Sequence, residues 1–284
     1  MRLTVNHVTT YTYDQPVRAV VQSHRLEPTL CQSQTVIDWR VLASDGTKGG
    51  GFRDGAGDWV QGWSVRGPVS RIEVSVRGVV ETADTAGVLR GNRESIPPIA
   101  WLGETAPTAP DAALRDLAHS VDDVQPLGLA HALSGAVADA IAYRPGTTDA
   151  HTTAAEALAQ GEGVCQDHAH ALITLARLRD LPARYVSGYL FAGATGGQEQ
   201  SQQQGQTQSQ QQGPAEAAHA WAEIWIDGLG WVGFDPSNRC CPDERHIRLG
   251  CGMDAQAAAP IRGTARGPGS ETMQIAVAIA ATQQ

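Results

Sequence analysis

Three short segments of the chain carry a cysteine, a histidine and an aspartate in that order. They are Gly163-Val164-Cys165-Gln166-Asp167, Ala218-His219-Ala220-Trp221 and Gly233-Phe234-Asp235-Pro236. In thiol catalysis a thiolate attacks a carbonyl carbon, an imidazole moves the proton, and a carboxylate orients the imidazole. The residue types therefore predict thiol-based acyl transfer, with Cys165, His219 and Asp235 as the catalytic residues.

Cys165 follows a flexible loop, residues 161–163, and opens a predicted helix over residues 165–180. A thiolate there would meet unpaired backbone N–H groups and the positive end of the helix dipole. The dipole supplies about 0.3–1 kcal/mol, whereas one pKa unit requires about 1.36 kcal/mol. The helix alone is therefore too weak, and a neighbouring imidazolium is required. The alternative is a small buried residue, which is what most free cysteines are.

His219 and Asp235 fall on a predicted hairpin whose strands, residues 217–226 and 231–234, meet at a turn centred near Asp227. Each lies eight residues from that centre, which predicts that they stand directly opposite, with Cβ atoms about 4.5–5.5 Å apart. The alternating positions from Ala220 to Ile226 are apolar and are expected to face a core. The alternatives are an exposed face for His219 and a simple Asp-Pro turn at Asp235.

The elements that must position these residues divide the chain into four predicted parts. They are a β-rich N-terminal domain (1–90), a linker (91–110), a catalytic core (111–255) and a C-terminal extension with one strand (256–284). The N-terminal domain is predicted to be a small β-sandwich with strands over residues 4–13, 35–42, 59–65 and 71–80. Helices are predicted over residues 112–121, 127–143 and 154–160. Strands followed by helices and a hairpin indicate an α+β fold. The Gln-rich insertion, 198–214, is predicted to be disordered.

Composition excludes several functions. A formal net charge of −9 and scattered basic residues argue against a nucleic-acid partner. The N-terminus has no apolar targeting segment and no stretch of about 18 apolar residues occurs, so the chain is predicted to be cytoplasmic without a membrane partner.

Its five cysteines are expected to be free thiols. His168 and His170 point apart on a helix, and Cys240-Cys241 lacks zinc spacing, so no metal or cofactor is predicted.

Residues 148–235 resemble the transglutaminase-like core, in the bacterial form that has a β-rich N-terminal region. The matching segments are residues 163–170, residues 181–190, Ala218-His219-Ala220-Trp221 and residues 228–236. Residues 1–82 resemble the family's N-terminal region more loosely, through His7, Tyr11-Thr12-Tyr13 and Pro16-Val17. One departure is Met253, which stands where the family commonly has arginine.

The resemblance implies a papain-like thiol fold in which Cys165, His219 and Asp235 match the triad positions. The family includes protein cross-linkers, amidases and peptidases, which implies a protein or peptide substrate and a thioester intermediate. Three functions remain open: acyl transfer or hydrolysis at carboxamide and peptide bonds, strict peptidase or amidase activity, and an inactive binding module. The sequence has no acidic loop of the kind that binds calcium.

Overall fold

The computed structural model describes residues 1–122, 125–193 and 217–281. The predicted disorder of the Gln-rich insertion, residues 198–214, falls outside the described residues. In chain order the elements are β1 Arg2–His24, β2 Gln34–Ala43, β3 Gly46–Arg53, β4 Trp59–Thr82, α1 Ala112–His119, α2 Pro126–Ala140, β5 Ala142–Tyr143, α3 Ala154–Gln160, β6 Glu162–Gly163, α4 Cys165–Leu178, β7 Ala183–Leu190, β8 Ala218–Ile226, β9 Gly230–Phe234, β10 His246–Gly252, β11 Ile261–Arg266 and β12 Glu271–Ala281. Each helix in the described part of the chain is too short or too polar to cross a membrane.

The N-terminal region is built on two long strands, β1 and β4, which pair antiparallel with register shifts between Thr12 and Ala19. Its predicted strands over 59–65 and 71–80 are continuous as β4. The glycine-rich strand β3 lies between the strands that the sequence predicts over 35–42 and 59–65. It is a strand because it pairs with β4, and pairing outweighs the low β-propensity of glycine.

The C-terminal extension contributes two strands to the same sheet, where the sequence predicts one. Both β11 and β12 pair antiparallel with β1, so that His24 lies opposite Ile261 and Tyr13 lies opposite Glu271. The six strands form one hydrogen-bonded sheet. The N-terminal region is therefore completed by the last strands of the chain.

The catalytic core places helix α4 against a four-stranded sheet of order β10-β7-β8-β9. Residues 167–177 of α4 are all buried. The predicted core face of β8 packs into this core, which confirms the predicted alternation; its residues are Ala220, Ala222, Ile224 and Ile226. A second core joins this sheet to the N-terminal sheet through Tyr189, Ile247 and Leu249.

The segment 91–110 is packed against the core, although the sequence predicts an extended linker. It contains two short 3-10 turns, Pro98–Leu102 and Ala106–Thr108. Trp101 is only 5% exposed, and its ring packs edge-on against Trp231. The segment therefore touches the core at Trp101 and at Thr108, its two buried residues.

Candidate active site

Cys165 is the first residue of α4 and is partly buried. The turn that carries it is held by the Asp167 carboxylate, whose Oδ2 accepts from the Val164 N–H at 2.8 Å and from the Thr148 hydroxyl at 2.6 Å. A Cβ on Gly163 would lie 2.8 Å from the Asp167 side chain, so the glycine permits this close approach. The position of the thiol at the helix N-terminus is thus fixed by its neighbours.

The register of the β8–β9 hairpin differs from the predicted one by two residues. Ala222 lies opposite Phe234, and the same register places Asp235 opposite Trp221 rather than His219. The prediction that His219 and Asp235 stand directly opposite is therefore wrong. A two-residue shift keeps both side chains on one face, and diagonal neighbours remain within reach of a long side chain. His219 Nε2 lies 2.6 Å from Asp235 Oδ2.

Asp235 is fully buried, and donors surround both of its oxygens. Oδ2 accepts from His219 Nε2 at 2.6 Å, Asn238 Nδ2 at 2.7 Å and His246 Nε2 at 3.3 Å. Oδ1 accepts from the Ser237 hydroxyl at 2.6 Å and the Asn238 N–H at 3.2 Å. Burial raises the pKa of Asp235, but the hydrogen bonds from the two histidines outweigh it and hold the pKa well below its usual range.

His219 bonds to Asp235 and lines the same cavity as Cys165. Burial lowers the pKa of His219, but hydrogen bonds to Asp235 and Cys165, together with their charges, outweigh burial and raise the pKa to about 10. Since Nε2 bonds to Asp235, Nδ1 is the ring nitrogen left for the thiol. The structure thus brings together all three residues that the sequence singled out, in the order thiol, imidazole, carboxylate.

Two sequence models match the chain in separate places. The model of the transglutaminase-like superfamily matches residues 115–236, and that of the bacterial transglutaminase-like N-terminal region matches residues 3–81. The chain belongs to the transglutaminase-like superfamily. The α+β class, with a transglutaminase-like core after a β-rich region, is thereby confirmed.

Relatives of this transglutaminase-like protein occur in mycobacteria. An uncharacterized protein of Mycobacterium leprae is 29% identical, over 98% of each chain. An uncharacterized protein of Mycobacterium bovis is 36% identical over 43% of this chain and 36% of its own length. A solved structure from Cytophaga hutchinsonii, named a "putative cysteine protease", has a TM-score of 0.68 at 21% identity and covers 100% of this chain and 92% of its own. That similarity shows the shared fold.

His246 is a site residue that the sequence analysis of this transglutaminase-like protein missed. It lies on β10, a strand that was not predicted. Its Nδ1 lies 3.0 Å from Asp243 Oδ1 and 3.1 Å from the Asp243 backbone nitrogen, and its Nε2 lies 3.3 Å from Asp235 Oδ2. The ring therefore bridges two carboxylates. The ligand atoms of His219, Asp235 and His246 lie within 4.8 Å of one another and could hold a metal ion. In the structure both imidazoles hydrogen-bond to the Asp235 carboxylate.

Five charged side chains form a second cluster, which the sequence analysis did not predict. Arg184 bonds through Nε to Glu223 at 2.7 Å and through Nη1 to Glu94 at 2.6 Å. Arg248 bonds through Nε to Glu223 and through Nη1 to Asp58, both at 2.8 Å. This network ties β7, β8 and β10 to the N-terminal region, which carries Asp58.

Replacing Asp167 by alanine is expected to lower the free energy of unfolding by about 1–2 kcal/mol, because a buried helix-capping carboxylate is lost. It is also expected to slow alkylation of Cys165 several-fold, since the first turn of α4 loosens. Urea unfolding and iodoacetamide labelling measure the two effects. Thr153→Ala removes a comparable cap from α3 and should cost stability without slowing alkylation. Equal alkylation in both variants would contradict a positioning role for Asp167.

Proposed function

We propose that the protein is a cysteine enzyme that transfers or hydrolyses the acyl groups of carboxamide or peptide bonds through a thioester on Cys165. One observation carries the proposal: the His219 ring bonds to the buried Asp235 carboxylate at 2.6 Å and lines the same cavity as the Cys165 thiol. That arrangement supplies a nucleophile, a proton carrier and an orienting group. The substrate class is protein or peptide.

In the proposed reaction, His219 Nδ1 holds the proton of Cys165 while the sulfur attacks the carbonyl carbon. The carbonyl oxygen gains negative charge, and the Cys165 N–H, at the helix terminus, can donate to it. The C–N bond then breaks, His219 protonates the leaving amine or ammonia, and a thioester remains. Water or a second amine then attacks the thioester and releases the acyl group, which regenerates the thiol.

Asp235 supports both proton transfers. Its carboxylate stays charged because its pKa is depressed, and it stabilises the imidazolium that forms in the first step. The donors from Asn238, Ser237 and His246 keep the carboxylate in place. The predicted cytoplasmic location stays a prediction.

The test uses a peptide library with a biotinylated primary amine, and mass spectrometry identifies the products. Amine incorporation identifies transfer; free ammonia or new termini without incorporation identify a strict amidase or peptidase. Either product should be lost in Cys165→Ala, by about 10³-fold or more, because the thioester cannot form. Undiminished turnover in Cys165→Ala would refute the proposal. Absence of every product and of any acyl-enzyme would favour a binding module.

A further inference from the structure

A cavity of about 400 Å³ opens beside the reacting atoms, with Cys165 and His219 on its wall. The rest of the wall comes from separate parts of the chain. The catalytic core contributes Tyr189, β1 contributes His7, and the C-terminal strand β12 contributes Met273, among others. The N-terminal and C-terminal strands therefore complete a pocket that the catalytic core alone would leave open. Its volume lies within the range of small-molecule sites, about 300–1,000 Å³.

The described lining of this cavity contains no aspartate, glutamate, lysine or arginine. Its polar groups on the N-terminal side are bonded to each other: His7 Nδ1 lies 2.6 Å from the Tyr189 hydroxyl, and His7 Nε2 lies 2.9 Å from the Thr9 hydroxyl. Burial lowers the pKa of His7 to about 4, so the ring is uncharged at neutral pH. The Ser187 hydroxyl donates to the Ala258 carbonyl at 2.9 Å. The hydrogen-bonding capacity of these groups is thus largely used within the protein. The lining also contains Gln166, whose Nε2 lies 3.5 Å from the Ala150 carbonyl.

We propose that this cavity binds a large apolar side chain of the acyl donor, such as phenylalanine, leucine or methionine, at or next to the residue whose carbonyl is attacked. The proposal rests on the proposed function, because it places the attacked carbonyl at Cys165. An apolar side chain gains from leaving water. A charged side chain, or the carboxamide of glutamine, would lose its water without a full set of partners. The cavity therefore selects apolar peptides and disfavours glutamine.

Two residues of β12 at the cavity are apolar yet exposed. Met273 is 55% exposed and Ile275 is 40% exposed, and both contribute to the lining. Exposed apolar side chains grouped at a cleft commonly mark a binding surface. Since side chains alternate along a strand, Gln274 lies on the opposite face; it is exposed and is not part of the lining. Met273 and Gln274 therefore form a matched pair for mutation.

The test labels the full-length protein with dipeptidyl chloromethyl ketones, which alkylate a thiolate with loss of chloride. The two residues before the ketone are varied among Phe, Leu, Ala, Gln, Glu and Lys. Intact mass gives the label on Cys165, and its concentration dependence separates the binding constant KI from the rate constant kinact. We expect KI for Phe or Leu at one of the two positions to be at least about tenfold lower than for Gln, Glu or Lys.

Met273→Asp should remove most of this preference by raising KI for the apolar ketones, whereas Gln274→Asp should leave it unchanged. Ile275→Asp repeats the test if Met273→Asp fails to fold, as judged by thermal unfolding. Equal KI values across the series, or an equal loss in Gln274→Asp, would overturn the apolar cavity while labelling of Cys165 still supports the proposed chemistry. Failure of every ketone and of iodoacetamide to label Cys165 would overturn both proposals.

Discussion

Replacing His219 by asparagine is expected to slow alkylation of Cys165 by iodoacetamide about 100-fold at pH 6. Asparagine carries no positive charge and cannot take up the proton of the thiol, so the sulfur loses the group that helps it to form a thiolate. The wild-type His219 ring, whose pKa is raised to about 10, carries its positive charge at pH 6 and lines the same cavity as Cys165.

The pH dependence of the alkylation rate follows from two groups whose pKa values are shifted, His219 and Asp235. In the folded protein the pKa of His219 is raised to about 10. The stabilisation by the charged ring is therefore fully present below about pH 6.5, the pKa of an unperturbed histidine, and it is lost as the pH rises through about 10. The pKa of Asp235 is depressed, so its contribution is present above about 3.9 and is lost as the pH falls further. The difference in alkylation rate should therefore be large from about pH 5 to 8 and should vanish near pH 10.

His119→Asn is the matched control, because His119 is an exposed histidine on α1, far along the chain from the site. It should alkylate like the wild type at every pH. The measurement is the rate of alkylation by iodoacetamide from pH 5 to 10 in the wild type and both variants, with the label located on Cys165 by peptide mass mapping. A His219→Asn profile that overlays the wild-type profile would mean that the imidazole does not activate the sulfur.

The three candidate residues, Cys165, His219 and Asp235, could be singled out from the sequence because each lies in a short segment with its own local pattern. Cys165 follows glycines and opens a helix, and the α4 N-terminus forms where the sequence places it. His219 lies on an alternating strand whose apolar face packs into the core as expected. Local helix and strand patterns depend on neighbouring residues, so one sequence is enough to reveal them.

Long-range pairing was harder to predict. The hairpin register differs by two residues because the turn around Gly228 and Gly230, both with positive φ, shifts the centre of the hairpin. The site residue His246 was missed because β10 is recognised only once it pairs with β7. The strand β11 was missed for the same reason, since it exists by pairing with β1. These pairings join residues far apart in the chain, and no local pattern encodes them.

The cavity beside Cys165 shows the same difference between local sequence patterns and long-range contacts. His7, on β1, and Met273, on β12, line one space with Cys165, although the three positions span most of the sequence. The sequence motifs are enough to predict the proposed chemistry at Cys165. The proposed preference for apolar substrates rests on how three distant parts of the chain line one cavity, which only the folded structure shows.

Replacing Glu223 by glutamine is expected to lower the free energy of unfolding by about 3–5 kcal/mol, because it removes the shared partner of two buried guanidinium groups. Burial raises the pKa of Glu223, but the charges of Arg248 and Arg184 outweigh it and lower the pKa to about 2. A depression from 4.5 to about 2 corresponds to about 3 kcal/mol of stability. Chemical denaturation at pH 7, followed by tryptophan fluorescence, measures the loss.

The sign of the pH effect gives this prediction a second test. The pKa of Glu223 is depressed in the folded protein, so its contribution to stability is present above about 4.5 and is lost as the pH falls through about 2. The stability gap between the wild type and Glu223→Gln should therefore narrow steadily below pH 4.

Glu73→Gln is the matched control: Glu73 pairs with Arg71 at the surface, and its loss should cost less than about 1 kcal/mol at any pH. Equal losses for the two glutamates would mean that the buried network contributes nothing to holding β8 against its neighbours. A large loss confined to Glu223 would identify the network as a main support of β8, the strand that carries His219 four residues earlier.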